Sequence, residues 1–167
     1  VFGKIEQGPV IGDNLATAIY ANSGNGVVHD AAVRDLEGIE ELEGFTSFVR
    51  GWDPSYASPT IMLSGMNCPI RIGHATCMPG DIVLGKREGV LFIPPHLAEK
   101  VVITSEVVRL RDMFGKLRLN EGTYTPGQID RRWSDDIEAD FSRWLEDHID
   151  ELPVPKEAIQ ELLKERT

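Results

Sequence analysis

Cysteine is scarce in this chain: two residues, Cys68 and Cys77, in 167. That is too few for a disulfide framework, and their spacing does not suit a zinc knuckle, so a reducing cytoplasm is the expected setting. Positive charge is scarce as well, with 17 Lys and Arg against 27 Asp and Glu, a formal net charge of −10. Nucleic-acid binding requires a basic surface to neutralise phosphates, and the basic residues here are scattered, so no nucleic-acid partner is expected. No apolar run approaches the roughly 20 residues that cross a bilayer, and no signal-peptide pattern stands at the start, so no membrane partner is expected either. Absent too are an internal repeat, a low-complexity tract, and a glycine-rich nucleotide loop followed by an acidic ribose-binding residue. What remains is an ordinary hydrophobic content of 41%. A chain of this length can bury one α/β core with an appended tail but scarcely two independent cores.

The most informative stretch reads GDNLATAIYANSGNGVVHDAAVRD, from Gly12 to Asp35. Gly12 precedes Asp13, a suitable N-cap, and the apolar residues Leu15, Ala16, Ala18 and Ile19 that follow predict a helix packed on a sheet. The first turn of such a helix leaves N–H groups without intrahelical partners, and with the helix dipole they form a seat for a carboxylate. Gly24 and Gly26 then break the helix, and Val27-Val28 predicts a short buried strand before His29-Asp30 and a turn. The pattern is β-α-β. In a parallel unit of this kind, residues just past the second strand come close to the start of the helix that follows the first. Arg34 and Asp35 occupy that position.

Arg34 offers a planar fork of donors suited to a carboxylate or a developing enolate oxygen, whereas Asp35 is a hard oxygen ligand suited to magnesium or manganese. The plain alternative is a surface Arg–Asp pair, with Asp35 serving only to cap the next helix through Leu36, Ile39 and Leu42.

With these residues in place, the sequence resembles the RraA-like family, which includes 4-hydroxy-4-methyl-2-oxoglutarate aldolases and proteins once labelled dimethylmenaquinone methyltransferases. Three segments carry the resemblance in the right order: the Gly12–Leu15 turn with its spacing to Arg34-Asp35, the run GVVHDAAVRD, and PGDIVLGKREGVLFIP from Pro79 to Pro94. It covers approximately residues 1 to 110. It implies a layered α/β/α swivelling-type domain with a mixed sheet over 1–111, whose beginning lies before Val1, and a connector with a helical extension over 112–167. It further implies that main-chain amides of Gly12, Asp13, Asn14 and Leu15 bind the pyruvyl carboxylate, and that Arg34 contacts the keto or enolate oxygen. Asp35 would hold a divalent metal, Mg2+ or Mn2+, partly through waters, and Asp13 would place a proton-transferring water. A homotrimer or hexamer is implied, with an acidic residue from a neighbouring subunit completing the site; Glu106 and Asp112 are the candidates. Ala31 stands where the family usually has Gly, His29 replaces an apolar residue, and Lys86 replaces an acidic one.

Further along, Val1–Ile5 predicts the end of a buried strand, and Phe45–Val49, Ile61–Leu63, Pro69–Ile72, Ile82–Leu84 and Val90–Ile93 predict further short strands. The loop from Arg50 to Pro59 carries Trp52 and Tyr56, for which packing against the domain edge is expected over a place in a pocket wall. His74 and His96 lack partners at ligand spacing and are read as structural. Pro95–Leu110 predicts an amphipathic helix burying Leu97, Val101, Val102, Val107 and Val108. Met113–Gly115 and Asn120–Gly127 read as a turn-rich connector. Ser134–Ile149 predicts a helix whose stripe of Trp133, Ile137, Phe141, Trp144 and Leu145 needs a cover, either a neighbouring subunit or its own chain. A charged helix over Lys156–Glu165 ends the chain.

The resulting expectation is a metal-dependent lyase, of class II aldolase or decarboxylase type, that acts on a 2-oxo acid through a pyruvate enolate. Retro-aldol cleavage of a 4-hydroxy-2-oxo acid and decarboxylation of oxaloacetate share that enolate. The alternative is a protein-binding regulator of the RraA kind without catalysis. A methyltransferase ranks below both, because the nucleotide loop is missing.

Overall fold

A computed structural model of the chain describes residues 3–5, 8–56, 61–151 and 155–165. It divides into two compact units, residues 1–95 and 96–167.

The first unit is built where apolar residues alternate with glycine breaks. Helix α1 (Asp13–Ser23) buries Ala16 completely and stops at Gly24, whose left-handed backbone (φ 65°) lets its N–H reach the Tyr20 carbonyl at 2.8 Å. This is the chain reversal that glycine permits at no steric cost. The strands that follow are β1 (Val27–Val28) and β2 (Ala32–Val33), then a short helix α2 (Leu36–Glu40), then β3 (Ser47–Phe48) and β4 (Gly51–Trp52). β1 pairs in parallel with β3, and β2 in parallel with β4. A parallel bridge also joins Pro9 to Ala32, and the Val10 and Arg34 N–H groups donate to the carbonyls of Ala32 and Ile11 at 3.0 Å. Ile11, Ala16, Val27, Val33 and Ile39 form the buried core between these pieces, with Ile19, Leu42 and Phe45 packed against it.

Two antiparallel hairpins complete the unit: β5 (Ile70–Ile72) with β6 (Ala75–Cys77), and β7 (Ile82–Lys86) with β8 (Gly89–Ile93). The protein is thus a mixed α/β fold with both parallel and antiparallel pairs. Gly85 of β7 lies so close to the Phe48 ring that a side chain there would overlap it. Several strand expectations change. The segment at Phe45–Val49 shortens to Ser47–Phe48; Gly51–Trp52, expected as loop, is a strand; β6 was not foreseen; Ile61–Leu63 has no regular structure. Of the expected initial strand, Val1 and Phe2 lie outside the described residues, while Gly3–Ile5 form no strand, although Ile5 donates to the Asp30 carbonyl at 3.1 Å. Both cysteines are free thiols, Cys68 exposed and Cys77 buried.

The second unit is helical. After a 3-10 turn at Pro95–Leu97, helix α3 runs from Ala98 to Asn120, followed by α4 (Pro126–Ile129), α5 (Asp135–His148) and α6 (Lys156–Glu165). Met113, Phe114 and Gly115 therefore lie inside α3 rather than in a connector, because Val107, Leu110 and Phe114 form the stripe it buries. Among the residues expected on its buried face, only Val107 is buried; Leu97, Val101, Val102 and Val108 are exposed. The aromatic stripe of α5 is covered by the chain itself: Trp133, Ile137, Phe141 and Leu145 share one core with Phe114, Leu110 and Ile159. Arg111 stacks on the Trp133 ring (3.7 Å to the centroid) and meets Glu138 through two bonds of 2.9 and 2.7 Å, which seals the edge of that core.

Candidate functional site

The strand register explains why Arg34 and Asp35 stand next to Gly12. Residues 9–11 run parallel to residues 32–34, so the turn leaving each segment emerges at the same end, and α1 and α2 both begin there. The juxtaposition was expected from the β-α-β spacing, but the strand that produces it is Ala32–Val33 rather than Val27–Val28.

Gly12 is the N-cap of α1, with an extended backbone (φ −116°, ψ −170°), and Asp13 is the first helical residue; the N-cap role expected for Asp13 belongs to its neighbour. The closeness of the site is measured at Gly12. A Cβ placed there would overlap the Asp35 carboxylate and come within 2.9 Å of Arg34 Nε. The backbone conformation itself would accept any residue, so glycine is required by this approach alone.

Asp35 adopts a left-handed backbone (φ 58°, ψ 51°), uncommon for a residue with a side chain and tolerated best by Asn and Asp. It occupies the N-cap position of α2, but its carboxylate makes no capping bond. Instead Asp35 Oδ2 lies 3.2 Å from Arg34 Nε, with the two side chains 42% and 35% exposed. An ion pair that open adds about 0–1 kcal/mol of stability, too little to explain a left-handed backbone on structural grounds. The Arg34 guanidinium also faces the ring of Tyr56, 5.7 Å from its centroid.

Asp13 turns one carboxylate oxygen back to the Asn14 N–H at 2.7 Å, while its other oxygen packs against α2, where a Cβ on Gly38 would come within 2.5 Å. The Asn14 amide expected to receive a substrate carboxylate is therefore engaged by Asp13, which must turn aside for that donor to be used. Gly12, Asp13, Asn14, Leu15 and Arg34 line a cavity of about 370 Å³, whose other walls are Val10, Ile11, Tyr56 and Ile61. Tyr56 thus belongs to the cavity wall, contrary to the edge packing expected of it. Tyr56, Ile61 and Gly38 are parts that the sequence reading did not assign to the site, since no short motif marks them and the loop and helix alone bring them there.

A larger cavity, about 430 Å³, lies elsewhere in the same unit beside His29, Asp30, Phe48 and Arg50. Of these two cavities, the smaller is the one lined by the start of α1 and by Arg34. At the larger one, Asp30 is buried and takes a 2.7 Å bond from the Gly73 N–H and an ion pair from Arg50. The Gly73 bond above all, with Arg50 beside it, holds its carboxyl below the usual range, and burial pushes the His29 imidazole down to about 4. Glu106 and Asp112 both lie on α3 in the second unit, where Glu106 pairs with Arg109 at 2.8 Å and Asp112 is exposed.

Among the described residues no three His, Cys, Asp or Glu side chains converge as a ligand cluster. A magnesium ion keeps several of its waters and is often held by one or two carboxylates, so the half-exposed Asp35 carboxylate beside Gly12 fits a hydrated ion rather than an enclosed one.

The comparisons with known proteins agree with this architecture. The family model RraA-like, described as Aldolase/RraA, matches residues 2–92, and the chain belongs to that family. The chain is 31% identical over 122 residues to Protein DlpA of Legionella pneumophila, covering 68% of this chain and 18% of that protein. It is 35% identical over 77 residues to a Halalkalibacterium halodurans protein provisionally named a 4-hydroxy-4-methyl-2-oxoglutarate aldolase, covering 46% of this chain and 36% of that one. Among solved structures, it is similar to Streptomyces coelicolor RraAS2, described as an unusual member of the RNase ES inhibitor RraA protein family. There the TM-score is 0.59 at 25% identity, over 70% of this chain and 58% of the other. An uncharacterized protein from Pseudomonas syringae pv. tomato gives a TM-score of 0.61 at 25% identity, over 74% and 60%. The chain thus spans about a fifth to a third of the curated relatives' length. Among the described residues, no helix is long and apolar enough to cross a membrane.

Proposed function

We propose that this chain carries the site of a divalent-metal-dependent lyase that acts on a 2-oxo acid through a pyruvate enolate. The observation that carries the reading is the contact at Gly12: the N-terminus of α1 and Arg34 line one cavity, and the Asp35 carboxylate lies against Gly12 and Arg34 beside it. Asp35 would hold the ion. When bound, Mg2+ or Mn2+ would supply Lewis-acid positive charge that favours enolate formation.

The residues of the chain have separate tasks. The first-turn amides of α1 receive the substrate carboxylate once Asp13 swings off Asn14. Arg34 directs its planar donors at the keto oxygen, where negative charge develops. In retro-aldol cleavage the 4-hydroxyl loses its proton, the bond between C3 and C4 breaks, and the electron pair passes into the enolate. A carbonyl fragment leaves, and proton delivery to C3 completes pyruvate. Asp13, in the first turn of α1, would steer the water that moves those protons. Loss of carbon dioxide from oxaloacetate would generate the same enolate at the same groups. A homotrimer or hexamer in a reducing cytoplasm is the proposed context; the apolar residues Ile82, Val83, Leu84 and Leu91 exposed on the β7–β8 hairpin support association between copies.

The RNase ES inhibitor family to which RraAS2 is ascribed favours a second reading, a protein-binding regulator. Incubation with 4-hydroxy-2-oxo acids and oxaloacetate, with and without magnesium, separates the two. Magnesium-dependent pyruvate release is expected, and its absence from every substrate would leave the regulator as the better reading.

A further inference from the structure

We infer that Tyr56 is a positioning residue for Arg34, its ring aiming the guanidinium at the cavity beside the start of α1; this deepens, and rests on, the lyase reading above. Tyr56 is 75% exposed, so burial does not account for where its ring stands. The loop that carries it is built to reach that place. The Asp53 N–H donates at 3.0 Å to the carbonyl of Val33, the residue before Arg34, and so ties the loop to the strand that delivers the arginine. The Asp53 carboxylate then accepts the Ser55 N–H at 2.9 Å, closing a turn of the kind that Asp side chains favour. The Ser55 hydroxyl, the Ser55 N–H and the Gly8 N–H together hold that carboxyl below its usual range. The next residue is Tyr56. Arg34 Cζ lies over its ring, 5.7 Å from the centroid, within the roughly 6 Å at which an aromatic face attracts a cation. Both residues line the cavity.

A guanidinium on a flexible stem needs two constraints before it points one way. Asp35 supplies the first at the Nε edge, where its Oδ2 lies at 3.2 Å. That contact alone leaves the fork able to turn about the line between the two atoms. A ring against the face of the fork opposes this rotation, and the Nη donors are then the edge offered to a keto or enolate oxygen. The attraction is small at an open surface and grows when a ligand excludes water from the pair, so the ring should matter most with the cavity occupied.

The test is a double-mutant cycle read by titration calorimetry with oxalate, a planar mimic of the enolate, in the presence of magnesium. Tyr56 is exposed, so replacing it leaves the core untouched. Tyr56→Ala is expected to weaken oxalate about fivefold to tenfold, and Tyr56→Leu, which keeps apolar bulk without a π face, by a similar factor. Tyr56→Phe is expected to bind as the parent does. In an Arg34→Gln background, Tyr56→Ala is expected to have no further effect. Equal losses in the two backgrounds overturn the inference, as does parent-like binding by Tyr56→Ala or Tyr56→Leu. Pyruvate release, measured in parallel, is expected to fall in Tyr56→Ala mainly through kcat and to return in Tyr56→Phe, because Arg34 meets charge that develops in the transition state. Pyruvate release by the parent with additive losses in the cycle overturns this inference alone. A coupled cycle with no pyruvate release from any 2-oxo acid overturns the lyase reading alone, and no oxalate binding with no release overturns both.

Discussion

Asp35 is the residue on which most depends, since it combines an open carboxylate with a left-handed backbone. Asn tolerates that backbone too, so Asp35→Asn changes the ligand without changing the fold. Magnesium-dependent turnover is expected to disappear in this variant while the circular dichroism spectrum stays that of the parent. Chelation by EDTA should silence the parent, and added magnesium should restore it; metal-independent turnover would dismiss Asp35 as the ligand. Arg34→Lys keeps the charge and removes the planar fork, so pyruvate release is expected to fall by roughly a hundredfold or more. Activity within a few-fold of the parent would mean that charge alone suffices there. Gly12→Ala isolates the steric requirement, because the backbone at Gly12 suits alanine but its methyl would displace Arg34 and Asp35. A loss of about a hundredfold in kcat/KM is expected from a displacement of that size, with little change in Tm. The types of these residues were legible from sequence, since a helix start, a forked cation and a hard anion can each be read from a residue and its neighbours. The engagement of the Asn14 amide by Asp13 was not, because it depends on a side-chain rotamer.

At the level of elements, the β5–β6 hairpin is tied to the end of β1 by Asp30, whose buried carboxylate takes the Gly73 N–H at the hairpin turn. Asp30→Ala leaves that donor unsatisfied and Arg50 without its partner. It is expected to cost about 1–3 kcal/mol in urea unfolding and to speed hydrogen exchange over residues 70–77. Acidification should act on the same region through two groups. The Asp30 carboxyl is held below its usual range, so its stabilisation is present above the unfolded value and lost as pH falls through the folded one. His29 is depressed from 6.5 to about 4, so between those values the unfolded chain binds a proton that the folded chain refuses. Stability should therefore decline as pH drops across that window, by roughly 3 kcal/mol, and His29→Leu should flatten the slope in urea midpoints measured between pH 7 and 4.5. Helix α5 was readable from its apolar spacing, and the final helix from its charged run. The full length of α3 was not, because Gly115 within Met113-Phe114-Gly115 reads locally as a turn. In the fold it packs against Ile129, where a Cβ would come within 2.8 Å of that side chain.

At the scale of the whole molecule, the exposed apolar residues of the β7–β8 hairpin are expected to lie between copies of the chain. Sedimentation equilibrium should give three or six times the 18.5 kDa of one chain, and Leu91→Glu should shift the distribution towards the monomer; a monomeric parent would remove the trimer from the proposal. The sequence by itself determined the acidic charge balance, the mixed α/β class, and the order of Gly12, Asp13, Arg34 and Asp35 along the chain, because composition, apolar period and motif spacing are local properties. Tertiary structure alone decided which strand carries Arg34 to the helix start, that α5 covers its aromatic stripe with Phe114 and Leu110 of its own chain, and that Tyr56 and Ile61 wall the cavity. Each of these is a contact between residues distant in sequence. Such contacts are selected by the competition of whole surfaces for burial, which no window of neighbouring residues records.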